Sequence, residues 1–204
     1  MSKEDRSRWD ERYRVGDWLD IDEPATILTL AEAWLQPPGL ALDAACGSGR
    51  NALHLARRGY TVIAVDISWE GLQRLARRAR AEDLPIHIVH GDLERFQLKP
   101  DCFDLVLNTR FLLRRLFDVY RRALKPGGLL LFETLTVDEI DVLGGDIRRE
   151  FALERGELKA AFSDFEILLY EEGVLEEPEG ERGMARLIGK RRASRPSRRS
   201  HQRL

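Results

Sequence analysis

The sequence predicts an α/β fold: a mostly parallel, seven-stranded sheet with helices on both faces and an antiparallel strand at its end. Three observations predict it. Short apolar runs alternate with segments of helical periodicity along most of the chain. Several runs are almost continuously apolar, as strands covered on both faces must be. Near the C-terminus the alternation stops. Two strand-like runs there follow one another across a polar loop, which reverses one of them.

The elements follow in order. Residues 4–14 read as a short amphipathic helix carrying Trp9 and Tyr13. Pro24 suits the first turn of a second helix, with Ile27, Leu30, Ala31, Trp34 and Leu35 at helical spacing and Pro37-Pro38-Gly39 as its stop. The first strand, Leu40 to Ala45, runs into the turn Cys46-Gly47-Ser48-Gly49. The next helix places Ala52, Leu55 and Ala56 on one face and ends at Gly59. A strand from Tyr60 to Val65 closes on Asp66, and a helix over 68–82 aligns Leu72, Leu75, Ala76 and Ala79. Strands follow at Pro85 to His90 and Cys102 to Asn108, then a helical stripe from Leu113 to Leu124 and a strand from Gly128 to Thr136. A short helix near 154–162 leads to the last pair of strands, Phe165 to Tyr170 and Ala185 to Gly189.

Composition bounds the function. A chain of 204 residues, 43% apolar and 33% charged, suits one domain with a full core. No run reaches the roughly 18 apolar residues of a membrane span, and the start is too polar for a signal peptide. The two cysteines, Cys46 and Cys102, fit no metal pattern, which predicts reduced thiols and a cytoplasmic setting. His54, His87 and His90 also lack metal spacing, so no metal site is expected. The domain is expected over 1–190 and a basic, disordered tail over 191–204. From Lys190 onward there are seven Lys or Arg and no acid; without them the net charge of −2 becomes −9 for residues 1–189. An acidic body of this kind disfavours a nucleic-acid-binding face, and the tail is the only hint of one. Oligomeric state is not encoded in any of these features.

The most informative segment is Leu42-Asp43-Ala44-Ala45-Cys46-Gly47-Ser48-Gly49-Arg50-Asn51, between a strand and a helix. Its glycines allow a tight turn and the close approach of a ligand to the backbone. Asp66 ends the next strand 17 residues after Gly49, where a carboxylate can accept from both ribose hydroxyls of a nucleoside. Two cofactor classes fit this much. Gly47, Gly49 and Ala52 match a dinucleotide fingerprint, which would make the chain an NAD(P)-dependent oxidoreductase. Asp43 decides between them. A buried acid in the first strand needs a cationic partner, and it would repel a pyrophosphate. The ammonium and sulfonium of a methionine moiety would suit it.

At these residues the sequence resembles the class I methyltransferases that use S-adenosylmethionine, a Rossmann-like family. LDAACGSGRNALHLARRGYTVIAVDIS is similar to their first motif and acidic second strand. Gly91-Asp92-Leu93 resembles their adenine-binding turn, Phe103 to Asn108 their fourth-strand motif, and Leu124-Lys125-Pro126-Gly127-Gly128 the turn before their fifth strand. Trp9-Asp10-Glu11-Arg12-Tyr13 is similar to an opening segment of the small bacterial tellurite-resistance and thiopurine methyltransferase-like group.

The resemblance implies methyl transfer to a small-molecule acceptor by direct in-line displacement, with S-adenosylhomocysteine as product. It also admits a non-catalytic protein that binds either nucleoside. It implies that Asp43, Ala45 and Gly47 face the methionine part, that Asp66 holds the ribose, and that Ile67, Asp92 and Leu93 bind the adenine. Tyr13, with Trp9 beside it and Arg12 or Arg50, would close over the methionine carboxylate. Asn108 would lie beside the reacting methyl, and the acceptor would meet Arg110, Phe111 and Arg114. Leu113 stands where relatives often carry a histidine, so no general base is assigned. Leu135, Thr136 and the 137–156 segment are read as a lid, in which Gly144-Gly145 either allows movement or merely turns the chain.

Overall fold

A computed structural model of the chain describes residues 3–16 and 22–193. Seven strands form one sheet in the order β3-β2-β1-β4-β5-β7-β6. They are β1 (Gly39–Ala44), β2 (Tyr60–Asp66), β3 (Ile86–His90), β4 (Phe103–Thr109), β5 (Leu124–Leu135), β6 (Glu166–Glu177) and β7 (Gly180–Lys190). The first five are parallel. β7 runs antiparallel between β5 and β6. The predicted alternation and the reversal at the end are both present.

Two apolar layers sandwich the sheet. One face buries Ala41, Val62, Leu105 and Leu107 under α2 (Thr26–Leu30), α3 (Arg50–Arg57) and α4 (Trp69–Ala81). The other buries Val106, Leu130, Phe132 and Leu187 under α5 (Leu116–Ala123) and α7 (Glu157–Ala161). The helices form where the sequence supplies both a stripe and a start. In α4 the Ser68 hydroxyl accepts from the Gly71 N–H (3.2 Å), while Leu72, Leu75 and Ala79 are buried. An aromatic group of Phe117, Phe132, Phe162 and Phe165 holds α5 and α7 to the sheet, with edge-on ring contacts of 5.3–5.6 Å.

Several boundaries differ from the sequence reading, among them the start of β5, at Leu124 rather than Gly128. α2 stops at Leu30 and a 3₁₀ turn over Glu32–Trp34 replaces its second half, after which the chain is extended at Leu35 ahead of Pro37-Pro38. α5 starts at Leu116 rather than Leu113. β6 and β7 are about twice their expected length, since the polar stretch from Glu171 to Arg182 is paired in register up to Glu177↔Gly180. Arg191 belongs to the domain and not to the tail. Its N–H donates to Gly128 O (2.9 Å), its carbonyl accepts from Gly127 N (2.8 Å), and its side chain pairs with Asp101. The rest of the expected tail, from 194 on, lies outside the described residues.

The 137–156 segment holds α6 (Asp138–Asp141) and a 3₁₀ turn at Arg149–Phe151. α6 sits directly on β7: a Cβ on Gly183 would fall 2.0 Å from Glu139 N. The Glu139 carboxylate accepts from Gly183 N (2.9 Å), and Gly145 N donates to Glu139 O (2.7 Å). Gly144-Gly145 therefore turns the chain behind a seated helix. No helix among the described residues is long and apolar enough to cross a membrane.

Candidate active site

The site is built at the C-terminal ends of β1 and β2, where ligands of open α/β sheets bind. After β1 the backbone enters left-handed conformation at Ala45 (φ 57°), Gly47 (φ 57°) and Gly49 (φ 85°). Cys46 N–H donates to Val65 O (3.0 Å) and Gly49 N–H to Cys46 O (2.9 Å), which folds the loop against the end of β2. Asp66 completes the joint. Its two oxygens accept from Gly47 N (2.8 Å) and Ser68 N (2.7 Å). Burial raises its pKa, and the N–H groups of Ser68, Gly47 and Ile67 oppose that rise. Each oxygen keeps a lone pair for a further donor.

Asp43 has no such partners. It is fully buried, and neither carboxylate oxygen makes a hydrogen bond of normal geometry with the described residues. Burial, reinforced by the Asp66 charge, pushes its pKa up to about 7; the Ala52 N–H and the Arg50 guanidinium ease this only in part. Two neighbouring acids beside one glycine turn leave a deficit of positive charge.

The N-terminal helix α1 (Lys3–Val15) covers this corner. Asp10 accepts from the Ser68 hydroxyl (2.7 Å) and Glu70 N (3.2 Å), tying α1 to the start of α4. Tyr13 lies over the loop, and a Cβ on Gly47 would sit 2.0 Å from its hydroxyl oxygen. Burial, then the Asp66 charge, raises the Tyr13 pKa, so it stays a neutral phenol. Trp9 is 6.2 Å from the Tyr13 ring, and the Arg12 guanidinium lies 4.9 Å from the Trp9 ring. Arg50, at the start of α3, makes no ion pair with the described residues and lines an open cavity.

On the other side of Asp66, Ile67 is buried and its carbonyl lies 2.9 Å from His90 Nε2. Trp69 packs on His90 at 5.5 Å and is half exposed. Asp92 accepts from Glu94 N (2.9 Å) and caps the 3₁₀ turn that begins with Leu93. Leu93 is buried, and its carbonyl accepts from Arg115 (2.5 Å). Ile67, Asp92 and Leu93 are thus brought to one rim.

The residues after β4 divide. The Asn108 amide is engaged inward: Nδ2 donates to Phe111 O (2.7 Å) and Oδ1 accepts from the Tyr120 hydroxyl (3.1 Å). It shapes the turn that carries Arg110, whose φ is 53°. Phe111 is half-buried against the α5 layer. Arg114 forms a two-pronged pair with Glu157 (2.6 and 2.8 Å) and donates to the carbonyls of Glu150 and Ala152. It clamps the 150–157 segment and is not available to an acceptor.

Asn51 is a residue the sequence reading did not single out. It is buried, its Oδ1 accepts from Ala25 N (2.9 Å) and its Nδ2 donates to Thr109 Oγ1 (3.0 Å), so it joins α2, α3 and β4 at the mouth of the site. Asn51→Ala strands a buried N–H and is expected to cost about 1–3 kcal/mol, read as a lower urea midpoint at unchanged slope. Asp10, Ser68 and the Trp69–His90 pair were likewise not assigned to the site, since their partners lie far off in sequence. No cluster of three metal-ligating side chains occurs among the described residues.

Comparison with known proteins agrees with this geometry. Residues 41–128 match the methyltransferase domain family. Over 107 residues the chain is 36% identical to a malonyl-[acyl-carrier protein] O-methyltransferase of Enterobacter lignolyticus, covering 50% of this chain and 41% of that protein. Over 122 residues it is 34% identical to the protein of the same name from Herminiimonas arsenicoxydans, covering 55% and 45%. The chain thus spans less than half the length of the curated relatives it matches. In three dimensions it is similar to TehB of Haemophilus influenzae, with a TM-score of 0.67 at 23% identity, over 82% of this chain and 62% of the other.

Proposed function

We propose that the chain, which matches the methyltransferase domain family over residues 41–128 and is similar in fold to TehB, transfers a methyl group from S-adenosylmethionine to a small-molecule acceptor. The observation that carries this reading is Asp43, a fully buried carboxylate whose oxygens make no hydrogen bond of normal geometry with the described residues, on the strand that leads into the glycine turn. A positively charged ligand would supply what the fold withholds, whereas a diphosphate would add a third negative centre.

The residues fit the cofactor part by part. Asp66 retains lone pairs for the two ribose hydroxyls while Gly47 and Ser68 hold it in place. Ile67, Asp92 and Leu93 form the adenine rim, with Asp92 as acceptor for the amino group. Asp43, Ala45 and the Gly47 backbone face the methionine ammonium and sulfonium. Arg50 is the cation for the methionine carboxylate, and Tyr13, held by α1, excludes water from above. S-adenosylmethionine supplies an electrophilic methyl on a good leaving group. What remains for the protein is alignment of the acceptor with that methyl in a dry site, which can contribute several kcal/mol, up to about 10.

Tritiated methyl transfer from S-adenosylmethionine to a panel of thiols, amines, selenite, tellurite, carboxylic acids and malonyl-acyl carrier protein tests the activity. One class is expected to be labelled with turnover. No labelling of any class by folded protein that binds the cofactor would favour a non-catalytic binding protein.

A further inference from the structure

The sheet face under α2 and α3 carries a polar row across four strands. Thr109 of β4 pairs in register with Glu133 of β5, Glu133 with Arg186 of β7, and Arg186 with Glu171 of β6. Glu133 is buried. One of its oxygens accepts from Arg186 Nε (3.1 Å), and the other has no hydrogen-bond partner among the described residues. Arg186 is held on its other side by Glu171 (3.1 Å) and by an ion pair with buried Glu177.

Glu177 also lines a cavity of about 400 Å³ beside this row. The cavity opens between the residues leading into α2, Arg50 at the start of α3, and the tip of the β6–β7 hairpin. Its charged lining is Glu23, Glu177, Glu179 and Arg50. Arg110 reaches Glu177 and Glu179 only at 3.5 and 3.6 Å, and its buried Nε has no partner among the described residues. Glu177 is anchored by the Thr26 hydroxyl (3.1 Å) as well as by Arg186, whereas Glu179 is partly exposed and loosely held.

We propose that this cavity is the acceptor site and that it selects a small molecule bearing a cationic amine, with Glu179 and Glu177 as the groups that recognise it. The proposal rests on the cofactor reading above. Among the described residues Arg50 is the one cation that lines the cavity, and once it faces the methionine carboxylate the remaining charged lining consists of carboxylates. Arg110 offsets that wall only in part, because its single charge is shared between Glu177 and Glu179. The free oxygen of Glu133 adds an unsatisfied acceptor in the same polar row. An ammonium would complete the row as Arg186 completes it one strand over, while an anionic acceptor would meet Glu23, Glu177 and Glu179 together. The amine is a recognition handle here, and the atom that receives the methyl is a separate question.

The test is calorimetry on the full chain saturated with S-adenosylhomocysteine, titrated with short α,ω-diamines and with dicarboxylates of matched length, cadaverine and glutarate being the central pair. Diamine binding is expected to saturate and dicarboxylate binding to be absent. Glu179→Gln should weaken the diamine about tenfold, the lower end of the effect of losing one charge-assisted hydrogen bond, because Glu179 is partly exposed. Tighter binding of the dicarboxylates, binding of neither series, or a diamine affinity indifferent to Glu179→Gln overturns the assignment. Failure of S-adenosylhomocysteine itself to bind the folded wild-type protein overturns the cofactor reading instead, so the two failures are told apart.

Discussion

Asp43→Asn is expected to make the ligand-free protein more stable and its cofactor binding weaker. In the folded chain the Asp43 pKa stands at about 7, against about 3.9 for a free carboxylate. Between those values the folded state holds a proton that the unfolded chain has released. Stability therefore falls as pH rises through that window, by at most about 1.4 kcal/mol per unit, and the full penalty, on the order of 4 kcal/mol, is present above about pH 7. Asparagine keeps the shape without the charge. Thermal melts of the ligand-free variant should exceed wild type by several degrees at about pH 8, a few degrees per kcal/mol, and the gain should vanish near about pH 4. Affinity for S-adenosylmethionine should move the other way, falling roughly tenfold to a hundredfold as one or two charge-assisted contacts are lost. In wild type the same ionisation makes cofactor affinity increase with pH across the window. A variant that loses both stability and affinity would show that Asp43 is satisfied within the protein.

Asp66→Ala is expected to have the largest effect on binding. It removes the acceptor for two ribose hydroxyls, each bond to a carboxylate contributing about 1.5–3 kcal/mol, so S-adenosylhomocysteine should bind at least about a hundredfold more weakly. The substitution also frees the N–H groups of Gly47 and Ser68, which hold the loop. Asp66→Asn separates the two effects, because its remaining carbonyl oxygen still accepts one N–H. An intermediate affinity at near-native melting temperature is the expected outcome. Equal affinities for wild type and Asp66→Ala would place the nucleoside elsewhere.

Much of this architecture is legible in the chain because buried parallel strands are written as apolar runs, and β1, β2 and β4 are of that kind, whereas β3 lies at the sheet edge and is only partly buried. The hairpin of β6 and β7 is only half legible. Its outer part, rich in glutamate from Glu171 to Glu181, has no apolar alternation to mark it, yet its backbone pairs throughout. Among site residues, Asp43, Gly47 and Asp66 can be read because the loop is local and its conformational demands fall on glycine. Direction of a side chain is not local. Asn108 lies at the expected strand end, but its amide is drawn inward by Tyr120 and Phe111. Arg114 resembles a free helix-start cation until Glu157, 43 residues later, is placed beside it. The polar row of Glu133 and Arg186 escapes sequence reading for the same reason, since its partners are joined only by strand register.

The most direct measurement is a calorimetric comparison of S-adenosylmethionine, S-adenosylhomocysteine and NADH on the same folded preparation, at pH values on either side of about 7. Single-site binding of both adenosyl ligands, tightening with pH for the sulfonium form, and no heat from NADH is the predicted pattern. Preferential binding of NADH, or silence from all three, would contradict a pocket organised around Asp43 and Asp66.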